Sequence, residues 1–272
     1  MSVVADDLTA ELRYSIDRRQ LGPGLAAVVR ELTPDAATFD FLERQYVARH
    51  GRLRWAAHGV LRGCCSDFTV NGLLGTYRLH LLSALQWQAL LGPERHGRLL
   101  DVGAGVGGVT RQLAASFTEV SAVETSTSLV RRLRDEGFAA WKADLTAAPV
   151  PGAPYDAIAL LNVLDRCARP RTLVANLVDA LVPGGRLVVA MPLPYRPVYY
   201  AGPRTSAPVQ RLPLGQGTWE EQATLLVERV LQPLGLELEV LSRAPYLSEG
   251  DRHTVFYELD AVIAVCRRVV AD

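Results

Sequence analysis

The first residues with chemical potential lie at 99–110, LLDVGAGVGGVT, where an apolar strand meets a glycine cluster that opens a helix. Glycine serves two physical needs there: the chain turns sharply with unusual φ/ψ, and its backbone approaches a ligand with no Cβ in the way. The amide ends of the following helix point at the same place. Gly103, Gly105 and Gly108 satisfy the dinucleotide pattern GxGxxG, a weak signal when it stands alone. Asp101 stands just before them, at a strand end where dinucleotide enzymes usually carry an apolar residue. A carboxylate at that place suits a cationic ammonium, such as the amino-acid end of S-adenosylmethionine (SAM), bound directly or through water. Glu124 ends the next strand and can accept hydrogen bonds from both hydroxyls of a ribose, in NAD and SAM alike. Ala104 and Thr125 adjoin these residues and complete the loop expected to hold the cofactor. Asp144, after the third strand, either meets the adenine amino group or caps the turn Asp-Leu-Thr.

A second group follows the fourth strand, in ALLNVLDRC at 159–167. In an open α/β sheet ligands sit outside the carboxyl ends of the strands, so Asn162 and Asp165 belong at the reactive edge. Spaced by three, they share one side if the chain enters a helical turn; the alternative is that they cap the helix after Pro170. Asn162 also counts among the cofactor-binding candidates. Methyl transfer from a sulfonium is an in-line displacement that needs a bare lone pair close to the methyl carbon. A neutral imidazole offers one free nitrogen and one N–H, and a carboxylate accepting that N–H fixes the tautomer. Asp165 suits that part. Tyr246 and Tyr257, flanking the loop between the last two strands, would add aromatic walls with hydroxyls. Arg166 and Arg171 could attract an acidic substrate segment.

The elements that must position these groups read in two blocks. Residues 1–95 read as a helical segment, with Thr33 capping a helix over 36–61 and a second helix over 75–91 that stops at Gly92 and Pro93. From 96 to 272 strands and helices alternate: strands at 98–102, 119–124, 138–142, 155–161, 185–191, 236–242 and 257–266, helices at 108–116, 127–136, 171–181 and 218–232. That pattern predicts an α/β domain with a seven-stranded, mostly parallel sheet covered on both faces. Thr218 and Glu221 form a capping box at the start of the last helix. Residues 192–217 hold six prolines and read as an irregular loop.

Composition excludes several classes. Lys and Arg together number 29 and so do Asp and Glu, giving a formal charge of zero, which argues against general nucleic-acid or membrane-surface binding. Lys142 is the only lysine, which with the Ala, Val and Leu content suggests a bacterial source. Cys64, Cys65, Cys167 and Cys266 make no CxxC pair, and His50, His58, His80, His96 and His253 show no ligand spacing, so no metal is expected. The start carries no basic stretch with a long apolar run, and the expectation is a reduced, cytoplasmic protein.

Taken together, LLDVGAGVGGVT, SAVETSTSLV, LLNVLDRCARPRTL, VAMPLPYRP, GTWEEQ, RAPYLSEGD and FYELDAVIAV, with VNGLLG at 70–75 upstream, resemble the DREV-type methyltransferases, the methyltransferase-like-nine family of protein-histidine N-methyltransferases. The resemblance covers roughly residues 65 to 266, and its most distinctive parts are LNVLDRC and PYLSEGD. It implies a Rossmann-like, class I SAM-dependent methyltransferase that modifies the Nδ1 (pros) nitrogen of histidine in a peptide or protein, in His-x-His contexts with small neighbours, releasing S-adenosylhomocysteine. Carried over by motif, Asp101, Gly103 and Glu124 hold SAM, Asn162 and Asp165 bind and orient the imidazole, and Tyr246 and Tyr257 line its pocket. Val106 departs from the family, which carries an acidic residue there, and so does Arg196, where histidine is expected after an aromatic. These departures leave the peptide substrate open. Two other readings are a small-molecule N- or O-methyltransferase of natural-product metabolism, with the N-terminal helices as a lid, and a non-catalytic SAM-binding module.

Overall fold

The computed structural model describes residues 12–47, 70, 78–201, 204–250 and 254–269. A leader segment carries α1 (Pro23–Ala27) and α2 (Ala36–Val47), then β1 (Leu79–His80) and α3 (Ala84–Leu91). The alternating block follows as β2 (His96–Val102), α4 (Gly108–Ala114), β3 (Phe117–Glu124), α5 (Thr127–Asp135), β4 (Ala139–Lys142), β5 (Tyr155–Leu161), α6 (Pro170–Asp179) and β6 (Leu181–Pro192). A hairpin of β7 (Tyr199–Ala201) and β8 (Arg204–Ser206) lies inside the proline-rich segment, before α7 (Trp219–Leu226), β9 (Leu236–Glu249) and β10 (Phe256–Arg268).

Eight strands make one sheet in the order β1-β9-β10-β6-β5-β2-β3-β4. The pairs β2–β3, β2–β5, β3–β4 and β5–β6 are parallel, while β10 runs antiparallel to both β6 and β9. Strand order reverses between β2 and β5, which leaves a crevice at their carboxyl ends. Side chains alternate across β5: Ile158 and Leu160 face a core shared with α6 and α7, whereas Ala157, Ala159 and Leu161 face one shared with α3 and α4. Trp87 of α3 and Tyr155 of β5 are fully buried, and such burial contributes about 1.5–3 kcal/mol per large apolar side chain.

All seven expected strands are present, and β1 is an eighth. It stands within the helix expected from Gly75, whose first residues, 75–77, lie outside the described residues. Ser83 accepts from Gln86 N while the Gln86 side chain accepts from Ser83 N, so the capping box starts α3 only at Ala84. That frees Leu79 and His80 to pair with Ser248 and Leu247 of β9. Asp35, not Thr33, caps α2, with Oδ1 accepting from Thr38 N at 3.1 Å. The rest of the helix expected to reach residue 61 lies outside the described residues. The helix expected over 218–232 begins at its Thr218–Glu221 box but gives way to a π turn at Val227–Leu231 and a 3₁₀ turn at Gln232–Leu234, where Pro233 removes a donor.

The leader is bound to the sheet. Leu241 N donates to Val28 O at 3.0 Å, Arg30 N to Leu241 O at 2.8 Å, and Ser242 Oγ to Arg30 O at 2.6 Å. Beside these bonds Arg243 pairs with both oxygens of Asp260 at 2.8 and 2.5 Å, lies 3.5 Å from Glu220, donates to Ser15 O at 3.1 Å and stacks over Trp219. Its side chain is only 11% exposed. Arg243→Ala removes the cation from the buried carboxylate of Glu220 and the shorter-range partner from half-buried Asp260, so it is expected to cost about 3–5 kcal/mol in chemical denaturation. Arg267→Ala, which breaks a far more exposed pair with Glu237, is expected to cost about 0–1 kcal/mol. Equal losses would show that the Arg243 cluster does not tie the leader down.

Candidate active site

The glycine loop leaves β2 at the crevice. Gly103 has φ 75° and donates its N–H to Val123 O at 2.8 Å; a Cβ there would lie 2.6 Å from Val163 Cγ2. Gly105 (φ 57°) and Gly107 (φ 76°) are also left-handed, whereas Gly108, third in GxGxxG, is not. The conformational need thus falls on 103, 105 and 107. Glu124, at the end of β3, accepts from Gly105 N through Oε1 at 2.8 Å and from Thr125 N through Oε2 at 3.0 Å. Burial pushes its carboxyl up, and the backbone N–H bonds oppose that. Ala104 is half-buried within the loop and Thr125 is exposed beside Glu124.

Asp101 is 2% exposed and accepts from Thr110 Oγ1 at 2.6 Å. Burial pushes its pKa up to about 6; the Thr110 hydroxyl opposes the rise and the nearby Glu124 charge adds to it. Thr110 was not anticipated from sequence. Its signal is a fully buried hydroxyl in the first turn of α4, one residue after Val109. Asp144 takes up the alternative role of a turn cap: Oδ1 accepts from Thr146 N at 2.9 Å and Thr146 Oγ1 at 2.7 Å.

On the acceptor side Asn162 is the one non-glycine residue with positive φ (60°) among those described, and its N–H donates to Ala190 O at 2.7 Å. Asparagine tolerates this region better than other side chains, and such backbone strain gathers at functional sites. Asn162 and Asp165 are each 8% exposed, and each keeps a buried Oδ1 with no hydrogen-bond partner among the described residues. The other oxygen of Asp165 accepts from Arg166 Nε at 3.3 Å. Burial raises the Asp165 pKa and Arg166 lowers it.

Tyr246 is 4% exposed, and burial pushes its hydroxyl up to about 12; Arg166 and the Asn162 side chain lower it while Asp101 and Asp165 raise it. One hydroxyl therefore feels the Asp101 carboxylate of β2 together with Asp165 and the Asn162 side chain after β5. Tyr257 stands apart: it pairs with Ser248 two rungs from the Tyr246–Leu259 pair, on the same face, and is 40% exposed. It lies at the rim. The carbonyl of Leu79, in β1, approaches the start of α4, 3.8 Å from where a Cβ on Gly108 would stand. Among the described residues no cluster of His, Cys, Asp and Glu could hold a metal, and no helix is long and apolar enough to cross a membrane.

This crevice suits SAM: a loop of bare backbone for close approach, a buried carboxylate for an ammonium, and a second carboxylate at the end of the next strand for a ribose. The chain is similar over 105 residues to the ubiquinone biosynthesis O-methyltransferase of Xylella fastidiosa (strain 9a5c), at 30% identity, taking in 36% of this chain and 43% of that protein. The demethylmenaquinone methyltransferase of Tropheryma whipplei (strain Twist) is 31% identical over 104 residues, 37% of this chain and 44% of its own. The matched region thus spans less than half the length of these curated relatives. Among solved structures, the N-methyltransferase NodS from Bradyrhizobium japonicum WM9 with S-adenosylhomocysteine aligns at TM-score 0.44 and 16% identity, over 68% of this chain and 85% of that one. Magnesium protoporphyrin IX methyltransferase from Synechocystis PCC 6803 with bound SAM aligns at TM-score 0.45 and 14% identity, over 86% and 92%. The family model described as DREV methyltransferase matches residues 13–268, nearly the whole chain. With that match and this strand order, the chain belongs to the DREV methyltransferase family and is a SAM-dependent methyltransferase of the Rossmann-like class I fold.

Proposed function

We propose that the chain methylates the Nδ1 nitrogen of a histidine in a peptide or protein, in a His-x-His context. The observation that carries this reading is the buried Oδ1 of Asp165, without a hydrogen-bond partner among the described residues, as is Oδ1 of Asn162 three residues earlier. Leaving a buried acceptor unmatched costs about 1–3 kcal/mol, more when it is charged. A substrate N–H would remove that cost. An imidazole Nε2–H donating to Asp165 fixes the tautomer and leaves Nδ1 bare and aimed. SAM, when bound, supplies an electrophilic methyl group on a sulfonium.

Each side chain then has a role. Asp101 receives the ammonium of the cofactor, and Gly103, Ala104 and Gly105 let its backbone neighbours approach. Glu124 and Thr125 face the ribose; a carboxylate has about four lone-pair sites, so the backbone N–H bonds to Glu124 still leave room for a hydroxyl. Asp144 lies at the adenine end, with its turn holding the carboxylate in place. Tyr246 stays neutral at physiological pH and walls the acceptor pocket, with Tyr257 at its mouth.

The second reading, a small-molecule N- or O-methyltransferase, draws on the two curated relatives, whose names describe quinone methylation. Mass spectrometry after incubation with labelled SAM and His-x-His peptides separates the two. Methyl gain on histidine is expected, and its absence removes the first reading.

Asp165→Asn is expected to lower histidine methylation by at least about 100-fold while SAM affinity, by calorimetry, stays within a few-fold. Glu124→Ala is expected to weaken SAM by about 1–3 kcal/mol through lost charged hydrogen bonds. Loss of SAM binding in Asp165→Asn would overturn this division of the site. SAM affinity should also fall as pH drops through about 6, because protonated Asp101 no longer presents a charge to the ammonium. Asp101→Asn should bind weakly and flatten that dependence; an unchanged pH profile in the variant would remove Asp101 from the ammonium site.

A further inference from the structure

Charge is unevenly spread along a chain whose total is zero. Between residues 166 and 217 stand seven arginines (166, 169, 171, 186, 196, 204 and 211), and Asp179 is the only acidic residue. Asp179 ends α6, remote from that helix's first turn, where Arg171 stands. Arg186 is neutralised by Glu239 at 2.7 Å, and Arg166 is engaged with Asp165.

Hydrogen bonds gather much of the rest at one place. Val198 N donates to Asp165 O at 2.8 Å, Gln210 N to Ala168 O at 3.0 Å, and Leu212 N to the Tyr195 hydroxyl at 3.4 Å. The Gln210 side chain is bonded to Thr172, at the start of α6. These bonds knit 165–172, 195–198 and 210–212 into one surface around the Asp165 loop. Arg169, Arg171, Arg196 and Arg211 are exposed on it, and none of their guanidiniums has an ion pair or hydrogen bond to another described residue. A groove of about 480 Å³ continues from Arg171 to Arg229, floored by Ala175, Val230, Pro233 and Leu234.

We propose that this arginine rim is a docking surface for an acidic stretch of the polypeptide that carries the methyl acceptor. The inference rests on the reading of the acceptor as a peptide histidine. Charge complementarity selects the occupant: exposed guanidiniums with no ion pair among the described residues attract carboxylates of another chain and speed its encounter. The apolar floor of the groove gives the intervening side chains somewhere to pack, which suits an extended peptide.

The probes are two peptides sharing one His-Ala-His sequence, one followed by a run of glutamates and the other by glutamines. At low salt kcat/KM for the glutamate peptide is expected to exceed that for the glutamine peptide by about tenfold, through KM, and the gap should close at about 0.5 M salt. The combined variant Arg169→Gln, Arg171→Gln, Arg196→Gln, Arg211→Gln should close the gap at low salt and leave the glutamine peptide unaffected. Equal kcat/KM for both peptides in the native protein, or a variant that slows both alike, would overturn the proposal. So would tighter binding of a single-stranded RNA of matching charge than of the glutamate peptide. A labelled glutamate peptide without histidine, followed by fluorescence anisotropy, separates this idea from its foundation. If it binds the native protein and not the variant while neither His-Ala-His peptide gains methyl, the docking surface stands and the histidine reading falls. If both peptides are methylated with no preference, the histidine reading stands and the docking surface falls.

Discussion

Ionisable groups placed where an apolar sheet ends must be kept charged at the cost of desolvation, and that cost organises this crevice. Asp101, Glu124 and Asp165 all stand at the carboxyl edge of the sheet, and burial raises the pKa of each. Each has a different offset. Glu124 has backbone N–H groups of the loop it holds, Asp101 has the Thr110 hydroxyl, and Asp165 has the Arg166 guanidinium on one oxygen only. The degree to which each carboxylate is satisfied by its own chain separates their uses. Glu124 shapes the loop, while Asp165 keeps one oxygen without a partner among the described residues.

That arrangement depends on parts far away in sequence. The proposed acceptor pocket takes Asn162 and Asp165 from the turn after β5 and Tyr246 from β9, which sits between β1 and β10 in the sheet. Beside Tyr246, Arg243 joins β9 to Asp260 of β10, Glu220 of α7 and the leader at Ser15. Strand β1 adds the leader's second grip, against Ser248 and Leu247 on the edge of the sheet and near the start of α4. The leader is therefore wall as well as prelude, because its bonds reach the strand that carries the tyrosine.

Charge follows the same division. Arginines engaged with acids, such as Arg243 and Arg186, lie among structural elements, whereas Arg169, Arg171, Arg196 and Arg211 have no ion pair among the described residues. A zero net charge conceals this, since the balancing carboxylates lie elsewhere in the chain.

Much of this protein was legible in its residues alone. Alternating apolar runs marked all seven long strands, because side-chain period is a local property of strand and helix. The glycine loop was equally local, although which glycines carry positive φ was not: Gly107, outside the GxGxxG spacing, takes the place assigned to Gly108. Asn162 and Asp165 were placed at the reactive edge by their position after β5, and the structure finds both buried there with a bare oxygen. Three things only the tertiary structure decided. A two-residue strand at Leu79–His80 has no periodicity to betray it and exists because β9 offers an open edge. Thr110 matters through Asp101, nine residues away in the chain, across a buried contact. Arg169, Arg171, Arg196 and Arg211 share a surface because long-range hydrogen bonds fold their three segments together, and contacts between distant segments leave no trace in local spacing.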